Sequence, residues 1–271
     1  MTTPAPVATP TRVTTERGRH YVTPEGRKLP SVTTILGLIG KPGLDHWKLK
    51  TERESVIEAA QDLVEHLELR QDPAISAGFA EVLREQVGRE PAYKRVMNAA
   101  GDIGTAVHAL IEWSLRRELG DTVAARPVSV DERGLWAYMA YEEWRRAVDL
   151  RPIEVERMLW SETHGYAGTM DLLGEVTLQG ERIVAVIDWK TGGIYDESLL
   201  QSAAYVNAAI EQGLTKAPTH GLVVHLPKSA KDRVKTRLVR WDEVQRAFQA
   251  FLGVKNLWQW MNPNKEAKEA A

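Results

Sequence analysis

Apolar residues recur at helical spacing over most of the first 150 positions, and the period then switches to that of strands. Stretches 44–70 and 74–87 carry the three-to-four-residue repeat. So does 99–119, where Ile103, Val107, Leu110, Ile111, Leu115 and Leu119 fall on one broad stripe. Residues 130–149 repeat the pattern with Leu135, Tyr138, Met139, Tyr141 and Val148. Beyond residue 150 the spacing predicts three strands over 152–161, 169–178 and 182–190. A helix over 196–212 follows, with Leu199, Ala203, Val206 and Ile210 inward, then strands at 219–226 and 233–240 and an amphipathic helix over 242–260. Ahead of all these, His20–Leu36 predicts a short hairpin turned by Pro24-Glu25-Gly26 and a helix start with Ser31 as N-cap candidate. Helices followed by strand–strand–strand–helix–strand predict an α/β core carrying a helical N-terminal elaboration.

The Thr- and Pro-rich residues 1–18 read as a disordered arm, and 262–271 (NPNKEAKEAA) as a flexible charged tail. Turn-like stretches at 70–73 and 88–91 punctuate helices rather than domains. Residues 19–261 therefore read as a single domain, mainly helical over 19–150 and α/β over 151–261.

Composition narrows the chemistry. A net charge of −2 means that any affinity for nucleic acid must come from local basic patches. The absence of cysteine excludes disulfides, thiolate zinc sites, cysteine-ligated iron–sulfur clusters and a cysteine nucleophile. No apolar run approaches the roughly 18 residues of a membrane span, and the N-terminus lacks the apolar core of a secretion signal. The expectation is a soluble, cytoplasmic protein, of a bacterium or a phage-infected cell, with no membrane partner.

The most informative stretch is GTMDLLGEVTLQGERIVAVIDWKTG, which places Asp171 and Asp188 in otherwise apolar strands. The midpoint between them falls between Gln179 and Gly180, where the turn belongs. A two- or four-residue turn there pairs Asp171 with Asp188 on one face, with Cβ atoms roughly 4.5–5.5 Å apart; a three-residue turn would slip the pairing. The opposite face reads Leu172, Gly174, Val176 and Leu178 against Ile183, Ala185, Ile187 and Trp189, and must be core. Two such carboxylates repel unless a cation lies between them or one is protonated. A hard divalent ion such as Mg²⁺ or Mn²⁺ takes such oxygen ligands. Lys190, two residues after Asp188, projects from the same face, where an ammonium can hold an attacking water or neutralise charge on a phosphate. Two acids, a metal and a lysine suit phosphodiester hydrolysis. Alternation alone often sets Asp and Lys two apart, so the hairpin by itself weighs equally for a strand end with solvated charges.

Three further motifs surround the hairpin in order: Gly104-Thr105-Ala106-Val107-His108 upstream, Gly168-Thr169-Met170-Asp171 within it, and Gln201-Ser202-Ala203-Ala204-Tyr205 after Asp188-Trp189-Lys190. This set resembles the RecB-type exonuclease branch of the PD-(D/E)xK nuclease superfamily. Within that branch Pro30–Leu36 (PSVTTIL) is similar to the mitochondrial genome maintenance exonuclease and related bacteriophage exonucleases. The resemblance spans roughly residues 20–226. It implies a restriction-endonuclease-like core with a mixed central sheet. It implies His108, Asp171, Asp188 and the carbonyl of Trp189 as ligands of Mg²⁺ or Mn²⁺, Lys190 as catalytic, and Gln201 and Tyr205, four apart on a helix, lining the active site. The iron–sulfur variant of the branch needs four cysteines and is excluded. From the residues alone, His108 reads equally as a core histidine, Gln201 as solvent-facing and Tyr205 as packing. Glu112, one turn beyond His108, either supports the ligands from behind or lies at the surface.

Candidate DNA contacts are Ser31 and Thr33, at a helix start that binds phosphate or is an ordinary cap, and Arg233, Lys235 and Arg237. The last three belong to 228–240, with six basic residues against one acid, which reads as a phosphate-binding strip or as a charged edge strand that resists aggregation. The nine tryptophans offer stacking platforms or, as with Trp113, Trp136 and Trp144, core. The expectation is a metal-dependent DNA exonuclease on single strands or free ends, working beside recombination or replication proteins. The alternatives are a structure-specific endonuclease on the same core, a non-catalytic DNA-binding recombination partner, and a metal hydrolase of small phosphates.

Overall fold

In a computed structural model, residues 9–15, 18–70, 81–121, 125–127 and 131–263 are described. The outer parts of the N-terminal arm and C-terminal tail, and residues 74–80 of the helix expected over 74–87, lie outside them; 81–87 are helical as expected. The chain divides into two compact units, Gly40–Asp102 and the remainder.

The larger unit opens with a three-stranded antiparallel sheet, β1 (Thr11–Thr15), β2 (Gly18–Val22) and β3 (Lys28–Pro30), in that order. Residues 11–15 thus correct the expectation of a disordered arm. Their side chains are mostly exposed, so backbone pairing to β2, not burial, holds them. The β2–β3 turn is the expected one, with Gly26 at φ 85°. Tyr21 and Leu29 pack this sheet on Trp160 and Ala167. Helix α1 (Val32–Leu36) follows.

The central sheet has the order β4 (Arg151–Ser161), β5 (Tyr166–Leu178), β6 (Glu181–Lys190), β7 (His220–His225), β8 (Lys235–Val239). All neighbours are antiparallel except β6 and β7, so the sheet is mixed. A parallel pair cannot close through a tight turn. The crossover contains α5 (Asp196–Glu211), and α6 (Trp241–Met261) closes the chain.

Both sheet faces are covered. Leu173, Val186 and Val239 meet Val32, Ile35, Ala203, Val206, Val244 and Phe251 of α1, α5 and α6. The other face gives Leu172, Val176, Ile183, Ala185, Ile187 and Trp189, the core side expected from alternation. These meet Ile103, Val107, Ile111 and Leu115 of α3 (Ala92–Glu118) and Ala137, Tyr141 and Trp144 of α4 (Glu132–Ala147). Leu135 and Met139 were expected inward but are 45% and 58% exposed. The buried stripe of α4 is instead Gly134, Ala137, Tyr141 and Trp144, small residues interleaved with aromatics.

The unit Gly40–Asp102 contains α2 (Pro42–Arg70), residues 81–87 and the start of α3. The Tyr93 amide donates to Glu52 at 3.0 Å, and Lys48 lies over the Tyr93 ring. No described helix is long and apolar enough to cross a membrane.

Candidate metal centre

The β5–β6 hairpin turns through Gln179 and Gly180, at φ 52° and 83°. Positive φ at both central residues is the two-residue turn whose twist suits a hairpin. Pairing runs from Leu178↔Glu181 to Leu172↔Ile187, the register expected from the midpoint. The paired ladder stops one position short of Asp171 and Asp188. There the Trp189 amide donates instead to Asp171 Oδ2, at 2.8 Å.

A third carboxylate stands on the other side of Asp171. Glu156 of β4 falls between the pairs Val155↔Leu172 and Arg157↔Met170, hence opposite Asp171. Its φ is +47°, a left-handed conformation that a non-glycine residue in a strand rarely holds. Sequence reasoning missed Glu156, although the signal was present. The midpoint count that pairs Asp171 with Asp188 also pairs Glu156 with Asp171 across the turn at 162–165.

His108 reaches this row from α3. Its Nε2 lies 3.0 Å from the carbonyl oxygen of Trp189 and its Nδ1 3.7 Å from Asp171 Oδ2. A carbonyl only accepts, so Nε2 donates to it, and Nδ1 is the ring nitrogen turned toward Asp171. A metal-ligating histidine is fixed in the same manner. Gly104, one turn before His108, faces Thr191; a Cβ there would meet Thr191 Oγ1 at 3.1 Å.

His108, Glu156 and Asp171 each offer a ligand atom, all within 4.8 Å of one another, close enough to hold a metal ion. Asp188, expected in the metal set, is not a member of this group; Glu156 is. Burial first, then the charges of Asp171 and Glu112, push the Glu156 carboxyl up to about 8, against Arg116 and Arg12. Burial raises Asp171 to about 6, with Asp188 adding to it and His108, Lys190 and the Trp189 amide opposing. Both shifts register negative charge crowded into a site with little water.

Asp188 is 3% exposed and held in a ring of side chains. Its Oδ2 lies 2.7 Å from Lys190 Nζ, its Oδ1 accepts from Gln201 Nε2 at 3.2 Å, and Lys190 Nζ donates to Gln201 Oε1 at 3.3 Å. Burial opposes the charge on Lys190, but Asp188 and Asp171 outweigh it, so its ammonium is held more firmly than usual. Tyr205 is buried one turn along α5. Burial and the neighbouring Tyr21, Asp188 and Asp171 raise its hydroxyl. The structure thus brings His108, Asp171, Asp188, Lys190, Gln201 and Tyr205 to one end of the hairpin and adds Glu156. The Trp189 carbonyl, expected as a ligand, accepts from His108. Glu112 is ion-paired with Arg116 at 2.7 Å.

The candidate DNA contacts divide. The Ser31 hydroxyl belongs to a residue 1% exposed. It accepts from the Thr34 amide at 3.0 Å and bonds the hydroxyls of Thr33 and Thr34. Ser31 is therefore the helix cap, its hydroxyl bonded to those of Thr33 and Thr34, while Thr33 itself is exposed at the same helix start. On the edge strand β8, Arg237 pairs with Glu243, whereas Lys235 and the preceding Arg233 are exposed. Compared with known proteins, the sequence matches no family model and no curated protein.

Proposed function

We propose that this chain is a divalent-metal-dependent deoxyribonuclease with a restriction-endonuclease-like core of the PD-(D/E)xK type. Its reaction is hydrolysis of phosphodiester bonds in DNA. The observation that carries the reading is the adjacency of two groups: the cluster His108, Glu156 and Asp171, and the ring Asp188, Lys190 and Gln201.

The donor set fits Mg²⁺ or Mn²⁺. Two of three donors are carboxylates, suited to a hard cation, and both carboxyls are raised by burial and by neighbouring negative charge, a cost that a bound cation would relieve. Held by His108, Glu156 and Asp171, such an ion would polarise a phosphoryl oxygen and lower the pKa of a bound water. The rest of the chemistry belongs to the chain. Lys190 presents an ammonium beside the cluster, able to hold a water nucleophile or to offset charge developing on the phosphate. Gln201 contacts both Asp188 and Lys190 and fixes the direction of that ammonium. The bond from Nε2 to Trp189 sets the His108 ring. Tyr205 is buried against Gly168, three residues before Asp171.

The resemblance of the four ordered motifs to RecB-type exonucleases supports DNA as polymer, free or single-stranded ends as the preferred substrate, and recombination or replication as the setting. The mixed five-stranded sheet with α5 crossing between β6 and β7 is compatible with that core. The test is incubation with linear and circular single-stranded DNA, with Mn²⁺ or with EDTA. Linear strands are expected to shorten with Mn²⁺ only, and circles to survive. Cutting of circles would remove the preference for ends. Folded, Mn²⁺-loaded protein that hydrolyses no DNA would sink the nuclease reading, and an Asp188→Ala protein that still cuts would sink the site assignment.

A further inference from the structure

The sheet carries the row of the proposed catalytic lysine outward. In the parallel pair β6–β7, Lys190 stands opposite His225, and in β7–β8, His225 stands opposite Lys235. Registered partners share a face, and neighbouring strands lie about 4.8 Å apart. The opposite face is filled by Trp189, Val224, Leu226 and Leu238, so Lys190, His225 and Lys235 project together on the side of Asp188.

Three observations mark the outer part of this row. His225 Nδ1 is buried without a hydrogen-bond partner. Burial and then the charge of Lys235, its registered partner, lower the His225 ring and favour its neutral form, with Lys228 adding to this and Asp232 opposing. Among the described residues, neither Lys228 nor Lys235 has an ion pair, whereas Arg237, one position along the same face of β8, is taken by Glu243. An unmet ring nitrogen on the row of one lysine without an ion pair, with a second such lysine acting on the same ring, is a place for an anion, although Asp232 and Asp131 offset part of the charge. A neutral imidazole can turn a ring N–H toward a phosphate oxygen while two lysines supply charge.

We propose that His225, Lys228 and Lys235 form a subsite for a backbone phosphate of the nucleic-acid strand, beyond the phosphate engaged at Lys190. This rests on the nuclease reading and deepens it. The strand then runs across the carboxyl ends of β6 and β7 toward the edge strand β8. The same chemistry would take a terminal phosphate, so the probe strand is used with and without one.

The experiment measures binding of a fluorescent oligothymidine by anisotropy over a range of salt, with Ca²⁺ present. Hydrolysis of the oligonucleotide and of bis(p-nitrophenyl) phosphate is followed with Mn²⁺. Wild-type protein is compared with Lys228→Ala/Lys235→Ala and with His225→Leu, each checked for an unchanged circular dichroism spectrum. The double variant is expected to bind about tenfold more weakly. Its salt slope should fall by about 0.7 for each phosphate of the single strand that it no longer neutralises. Its activity should fall about tenfold more on the oligonucleotide than on the small diester. Equal weakening with and without a terminal phosphate supports a backbone phosphate as the ligand; weakening confined to the phosphorylated probe overturns it in favour of an end-binding pocket. Wild-type Kd and salt slope in both variants overturn the subsite. Wild-type protein that cleaves the small diester but binds no oligonucleotide overturns the subsite and the DNA assignment while leaving the metal-centre chemistry standing.

Discussion

Gly168 lies beneath the ring of Tyr205. A Cβ built on Gly168 would stand 2.4 Å from Tyr205 Cε1 and 2.8 Å from its hydroxyl oxygen. The glycine of one motif is therefore the seat of the tyrosine of another, three residues before Asp171 and on a different element. Gly168→Ala should force the ring off its seat, at a cost of about 1–3 kcal/mol for overpacking, and lower kcat. In a Tyr205→Leu background that stability cost should drop below about 0.5 kcal/mol, because the clashing ring is gone. Urea unfolding of the four proteins measures this coupling. Additive costs would show that ring and glycine do not constrain each other.

Glu156 and Asp171 make a second prediction, on pH. Both are raised above their usual values of 4.5 and 3.8, to about 8 and about 6. Between those limits the folded, metal-free protein keeps protons that the unfolded chain has released. Its stability therefore falls as pH rises, through about pH 4–6 for Asp171 and about pH 4.5–8 for Glu156. A divalent cation replaces those protons, so metal affinity grows over the same window. Thermal denaturation in EDTA and in Mn²⁺ should show the metal-induced gain in Tm increasing from about pH 6 to about pH 8.5. Glu156→Gln should raise the metal-free Tm at the upper end and shrink the metal response. A wild-type pH profile in that variant would remove Glu156 from the metal cluster.

Legibility in the sequence followed burial. The hairpin register was readable because a two-residue turn and an alternating apolar face admit one solution, and the pairs Leu172↔Ile187 through Leu178↔Glu181 carry it. Glu156 was passed over because its strand holds a second acid of the same parity, Glu154, and because a positive φ at Glu156 leaves no mark in the residue pattern. Leu135 and Met139 misled because aliphatic side chains were counted as core, while α4 buries Gly134 and Ala137 to let Tyr141 and Trp144 reach the sheet. Strand β1 was invisible because it buries almost no side chain. The Ser31 hydroxyl could be placed at a helix start, but only coordinates reveal that Thr33 and Thr34 saturate it.

Lys190 and Asp188 give a third prediction. Their ion pair, at 2.7 Å, joins a carboxylate with 4% of its side chain exposed to an ammonium with 27% exposed. Removing the lysine leaves a buried, uncompensated charge. Lys190→Ala should lose roughly 3 kcal/mol of stability, the low end for a broken buried pair since the ammonium still meets some water. Turnover should vanish while Mn²⁺ binding persists, because the His108–Glu156–Asp171 cluster is intact. Adding Asp188→Asn should restore much of the stability and none of the turnover. Calorimetry showing no metal uptake by Lys190→Ala would contradict the separation of the two groups.

Trp189 ties the site to the core, and it yields the last prediction. Its backbone serves two of the cluster ligands, donating to Asp171 and accepting from His108. Its indole lies edge-on to Tyr141 at 5.3 Å and to Trp144 at 5.5 Å, inside the core on the far face. Packing of the side chain therefore sets where the backbone amide and carbonyl stand, and those two groups set the ligands. Trp189→Ala should cost about 3–5 kcal/mol through the cavity it leaves, and weaken Mn²⁺ binding roughly 10-fold or more because the ligands lose their orientation. Trp189→Phe, which keeps an aromatic edge for Tyr141 and Trp144, should recover most of the metal affinity while still unfolding at lower urea than wild type. A merely structural tryptophan would move stability and leave affinity alone. Metal titration of folded Trp189→Ala at wild-type affinity would break the link between the aromatic core and the metal centre.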